Sequence, residues 1–385
     1  MQTTVAERRK PSKPRLPAIE YIRGISMLGV IGIHVGAQYL QNPALNVHVL
    51  AVLEIVTRFS VPIFFFISAF GLFYNLAPTA PFSYGKFLRR RGRAVFVPYL
   101  TWSIFYLALS AVLYETAFPT PGTLFYTLFF GLASYQLYFL VILLWFYLLM
   151  PLWIYIMRRL TTPRLWILFA LQVVVNYWSS FSPELYAYTL NLPEDSWWRA
   201  LLAYRLNYWV GHYFFIFLLG GHLAWHWDSF RQFMQERRFF IYGGFCLSLM
   251  SLLGYYYNLL ARGYTPLETV FTAHQLCPLG ICYTVAASVF FFTLFTLQPY
   301  GKKLNELWSF LGKHSYFCYL VHPVFIGIFA RVVSESGRIM TASLTAVFYL
   351  SVLVSSLFVA CVCRRIGEKT AVLNLLTIGL PYKKK

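Results

Sequence analysis

Residues 19–39 read IEYIRGISMLGVIGIHVGAQY. The run is long enough for a helix to cross a bilayer, which takes about 20 residues, yet it carries Arg23 and His34 inside it. Eleven residues separate the two, so they lie about 16 Å apart along a helix axis but only about 20° apart around it. They therefore share one stripe. A charged side chain in hydrocarbon is costly and turns toward protein or a water-filled cavity, so this stripe faces the inside of a bundle. An Arg reaching to the interface beside a structural His would also explain the run, but two ionisable groups on one stripe favour a working site. Glu20, one turn before Arg23, is placed to pair with it.

The alternation of long apolar run and short polar break continues to the C-terminus. Of 385 residues, 59% are hydrophobic and 12% charged, against about 45–50% and about 25% in soluble domains. That balance excludes a soluble enzyme, a disordered chain and a disulfide scaffold. The fold predicted is all-α, a polytopic membrane helix bundle of about ten transmembrane helices. The spans fall near 19–39, 47–75, 92–114, 133–157, 163–181, 203–227, 238–260, 277–299, 312–334 and 341–363. They make a membrane domain over 19–363, between a disordered basic tail at 1–18 and a basic tail at 364–385. The short, proline-broken run 118–131 reads as a re-entrant or interfacial piece. The first run has no obvious cleavage site and is expected to be retained as a span. The six cysteines sit in apolar stretches without metal-ligand spacing and read as small buried hydrophobes.

A net charge of +19 in a soluble protein would point to nucleic acid. In a membrane protein it is a topology signal, and no nucleic-acid partner is expected. Alternating the spans puts 25 of the 32 Lys and Arg on one face and only Arg199, Arg262 and Arg338 in the opposite loops. The positive-inside rule then places both termini in the cytoplasm of a multi-pass cell-membrane protein. On the other face, the loop 182–202 contains SPELYAYTLNLPED, a mixture of aromatics and carboxylates that suits a sugar but also an ordinary solvated loop.

Three further stretches carry candidate chemistry. VPIFFFISAFGLF at 61–73 has a notch of small residues, Ser68, Ala69 and Gly71; it either lets helices approach or opens room for a ligand beside His34. KFLRRRGRAVFVPY at 86–99 gathers Lys86, Arg89, Arg90, Arg91 and Arg93. Guanidinium groups hold phosphate bidentately, and a cluster like this can also bind lipid headgroups. LGKHSYFCYLVHPVF at 311–325 sets Tyr319 and His322 on one face, with Ser315 a turn below and Pro323 freeing a backbone carbonyl. His222 and His226 are spaced like a zinc pair, but no third ligand accompanies them, and no metal is expected.

Taken in order, these pieces resemble the acyltransferase-3 family of integral membrane acyltransferases. Arg23 and His34 stand at the family's Arg–ten residues–His spacing. PIFFFISAF, LRRRGRAVFVPY and SYFCYLVHPV are similar to its later segments, and YQLYFLVILLWFYLLMPL to a fourth more loosely. Ala69 stands where a glycine is usual, and Tyr138 where a tryptophan is common. The resemblance implies transfer of an acetyl- or succinyl-like group from cytoplasmic acyl-CoA, a co-substrate and not a cofactor. The acceptor would be a hydroxyl of a cell-surface or lipid-linked carbohydrate such as an exopolysaccharide. It makes His34 and Arg23 the catalytic candidates, with His322 and Tyr319 behind them, and Arg89, Arg90, Arg93, Lys86 and Ser68 the donor-binding ones. The residues agree independently: a basic mouth suits phosphates, and a His suits a general base. A polysaccharide or small-molecule exporter is the competing class, but no internal repeat of the kind transporters carry is apparent.

Overall fold

In the computed structural model, which describes residues 13–380, the chain is a bundle of helices. The helices are α1 Pro17–Tyr39, α2 Val47–Tyr74, α3 Tyr84–Tyr114, α4 Pro121–Phe130, α5 Tyr138–Leu148 and α6 Met150–Met157. Then come α7 Thr162–Phe181, α8 Pro183–Leu190, α9 Trp197–Ala203, α10 Arg205–Tyr208, α11 Phe214–Trp225 and α12 Trp227–Glu236. The last six are α13 Arg238–Ala261, α14 Pro266–Thr272, α15 Pro278–Leu297, α16 Lys302–Glu335, α17 Ala342–Gly367 and α18 Ala371–Ile378. The basic tail assigned to 1–18 lies outside the described residues as far as residue 12.

Among the described residues, seven helices are long and apolar enough to cross a membrane, or nine when each of two bent pairs counts as one span. The remaining predicted span is not one continuous helix. Over 203–227 the chain is broken into α10, a 3₁₀ turn at Val210–His212 and the short apolar α11. Broken backbone at membrane depth must be satisfied by protein, and polar side chains of α7 do this. Gln172 Nε2 donates to Gly211 O (2.9 Å), Asn176 Nδ2 donates to His212 O (3.3 Å), and the Phe215 amide donates to Gln172 Oε1 (3.0 Å). The predicted span 133–157 bends by 62° between α5 and α6, where Pro151 cannot supply a helix donor. The 118–131 piece is the ten-residue α4. Two of the six cysteines depart from expectation, since Cys246 and Cys282 face outward.

The α1 helix is the centre of the bundle, packed against α2, α15, α16 and α17 and most extensively against α16. Glycines set these distances. A Cβ on Gly312 of α16 would fall 2.1 Å from Glu20 O of α1, and one on Gly29 of α1 would fall 1.9 Å from Ser60 Oγ of α2. Only a missing side chain permits backbones this close. α17 runs on to Gly367, and the residues beyond it fold back as α18 onto α3, with Trp102 Nε1 donating to Thr377 O at 3.1 Å.

Candidate functional site

The α1–α16 crossing brings together two histidines that are far apart in sequence. The His34 and His322 rings stack with centroids 5.2 Å apart and planes 22° apart, and the Tyr135 ring lies 4.5 Å from His34. His322 is wholly buried and donates from Nδ1 to Cys318 O at 3.1 Å. A carbonyl only accepts, so the proton sits on Nδ1 and the unpartnered Nε2 of the neutral ring is left as an acceptor. Tyr319, whose ring is 6.3 Å from that of His322, donates its hydroxyl to Gln136 O. Tyr106 donates to Leu320 O at 2.6 Å. The segment 134–138 is thus tied to α16 and lies over the histidine pair.

His34 is only half-buried and Tyr135 is 50% exposed, although protein surrounds both. Both side chains therefore keep surface that a ligand can reach. Arg23, at the other end of the stripe, is exposed, and Tyr147, Arg91 and Glu20 lie within electrostatic reach of it. Among the described residues Glu20 makes no ion pair, so the pairing expected with Arg23 is not made. A second guanidinium lies within electrostatic reach of Arg23.

That second guanidinium is Arg91. It lies over the rings of Tyr147 and Phe87 (5.2 and 5.7 Å), and its buried Nε has no partner. Lys86, Arg89, Arg90 and Arg93 are exposed at the same end of the bundle. A π-turn at Gly92–Phe96 separates Arg91 from the rest of α3, and a largely apolar cavity of about 380 Å³ lies between it, α4 and α5. Ser68 is half-buried on α2, which packs mainly on α11. The His222 and His226 rings lie 4.3 Å apart, tilted by 35°, and His226 Nδ1 pairs with His222 O. Among the described residues no three His, Cys, Asp or Glu side chains converge as metal ligands would.

Sequence reasoning therefore picked out Arg23, His34, His322 and Tyr319, which the fold gathers along the α1–α16 seam. It missed Tyr135, Gln136, Tyr147 and Tyr316. Tyr316 stacks 6.4 Å from Tyr319, and its hydroxyl is buried without a partner. The available signal was Gln136, a lone amide at the head of the apolar run LYFLVILLWF. A second buried polar pair, Glu54 and Arg58, joins at 3.1 Å within α2, and Arg58 Nη2 donates to Val270 O at 2.9 Å.

A family model described as an acyltransferase domain matches residues 16–365. No curated protein and no solved structure matches the chain.

Proposed function

The chain belongs to the acyltransferase-3 family and is a multi-pass membrane acyltransferase, and from that premise we propose that it moves an acetyl- or succinyl-like group from cytoplasmic acyl-CoA to a carbohydrate hydroxyl at the opposite membrane face. The observation that carries this reading is the stripe on α1. One end holds Arg23, with Arg91 of α3 within electrostatic reach of it. The other holds a stacked histidine pair with a free ring nitrogen. The exposed Lys86, Arg89, Arg90 and Arg93 attract the donor's phosphates, and Arg91 and Arg23 hold the part that enters the bundle. The arm between phosphate and thioester then spans the roughly 16 Å to His34.

At the histidines, a carbohydrate hydroxyl attacks the thioester carbonyl while His34 takes its proton. Collapse of the adduct expels the thiol, which recovers that proton. An imidazole suits both transfers near pH 7, taking the proton as the neutral ring and returning it as the imidazolium. The test supplies radiolabelled acetyl-CoA or succinyl-CoA to one face of sealed membrane vesicles and follows label into carbohydrate. Label should appear with wild-type protein and be lost with His34→Ala. Equal incorporation by the two proteins at matched levels would overturn the mechanism, and carbohydrate export without label transfer would favour a transporter.

A further inference from the structure

We propose that Gln136 is the electrophilic donor of the site, its side-chain amide holding the oxygen of the carbonyl under attack; the proposal rests on the acyl-transfer reading above. Gln136 is 1% exposed, and its Nε2 has no hydrogen-bond partner. An amide donor left unpaired in a protein interior costs about 1–3 kcal/mol, and each such group in a folded protein calls for an explanation. Here the amide is also held in place. Ser134 Oγ donates to Gln136 Oε1 at 2.6 Å, which directs the NH₂ away from Ser134. The Gln136 carbonyl accepts from Tyr319, one turn before His322, and the neighbouring Tyr135 ring lies against His34. Gln136 is therefore held by its side chain through Ser134 and by its main chain through Tyr319, one residue from the ring that lies against His34, with a spare N–H in the same segment.

The chemistry requires such a group. When the acceptor oxygen bonds to the thioester carbon, the carbonyl π pair moves onto its oxygen and the hydroxyl proton passes to His34. When the carbonyl re-forms, the C–S bond breaks and the thiolate takes the proton from the imidazolium. The charge that appears on oxygen between those steps lies in a low-dielectric site, where a preorganised N–H is worth far more than in water. Tyr106, beside Gln136 with its own proton given to Leu320 O, is able to accept from Nε2, which would make Gln136 a purely structural residue.

The experiment compares Gln136→Met, which keeps the shape and loses the donor, with Tyr106→Phe, which removes the competing acceptor. Both are assayed for acyl transfer in detergent-solubilised full-length protein, with thermal unfolding measured alongside. Gln136→Met should lower kcat by about 10²–10³-fold with donor and acceptor KM within threefold. Tyr106→Phe should keep kcat within threefold. Gln136→Met with kcat near wild type overturns the proposal while acyl transfer itself stands. Equal losses in the two variants, with a lowered unfolding temperature, overturn it in favour of a structural pair. A wild-type protein that transfers no acyl group overturns the parent reading and this proposal with it.

Discussion

At the scale of single residues, the stacked histidines are not equivalent. His34 is half-buried and keeps accessible surface, whereas His322 is sealed and its Nδ1 donates to Cys318 O. A group that must meet the acceptor needs the accessible position, which is why the proposal gives the base role to His34. General base catalysis is typically worth about 10²–10⁴-fold. His34→Ala should therefore lose that much incorporation of acyl group into surface carbohydrate at matched protein levels. His322→Asn keeps an N–H where Nδ1 stands but removes Nε2, and a smaller loss is expected. Should His34→Ala acylate normally while His322→Ala is dead, the two roles are exchanged. Arg91 separates the basic cluster in a similar way. Its half-buried side chain lies within electrostatic reach of Arg23, while Arg89 is exposed, so Arg91→Gln should raise the donor KM at least tenfold and Arg89→Gln only slightly. Equal effects would reduce Arg91 to one charge among several. Arg23, His34 and His322 were legible in the sequence because an ionisable group inside an apolar run is rare and needs a reason. Tyr135, Tyr147 and Tyr316 were not, because the chain has 29 tyrosines and only tertiary packing decides which three meet the seam.

At the scale of elements, the site depends on how closely α1 and α16 cross. Gly312→Ala would set a Cβ 2.1 Å from Glu20 O. The obstacle is backbone, which cannot swing aside as a side-chain tip can, so the helices must part and the His34–His322 stack must open. Overpacking of this kind costs about 1–3 kcal/mol. The expected result is a lower unfolding temperature of the solubilised protein together with a large loss of acyl transfer. Gly327→Ala on the same helix meets nothing within 4 Å and should be neutral in both measurements. If the two alanines behave alike, the crossing distance is not what holds the site. The helices themselves followed from apolar run length, since hydrocarbon leaves the backbone few other choices. The breaks did not, because the interruption at Val210–His212 is possible only where Gln172 and Asn176 of α7 reach its backbone, a contact that no local pattern encodes.

At the scale of the whole molecule, orientation follows from counting crossings against charge. The seven long helices, the two bent pairs and the α11 segment make ten passages if each traverses the bilayer, and an even number returns the C-terminus to the side of the N-terminus. The doubtful passage on length alone is α11, whose 12 residues span about 18 Å of a hydrocarbon core about 30 Å thick. The rest of that passage is made by the broken chain before it, whose exposed backbone groups are taken up by α7, so it lies within protein as membrane-depth irregular structure must. Charge points the same way. Arg199, just before this passage, lies in the poorly charged set of loops, while Arg231, Arg237 and Arg238, just after it, belong to the basic set, as a true crossing requires. Fusions of a cytoplasm-only fluorescent reporter and a periplasm-only phosphatase test this directly. Joined after Arg159, Arg238 or residue 380, the fluorescent reporter should light and the phosphatase stay silent; joined after Arg199 or Arg262, the pattern should reverse. Phosphatase activity after both Arg199 and Arg238 would mean that α11 does not cross. The later spans would then invert, α16 could not lie along α1 as it does, and the site built on the α1–α16 crossing would have to be abandoned.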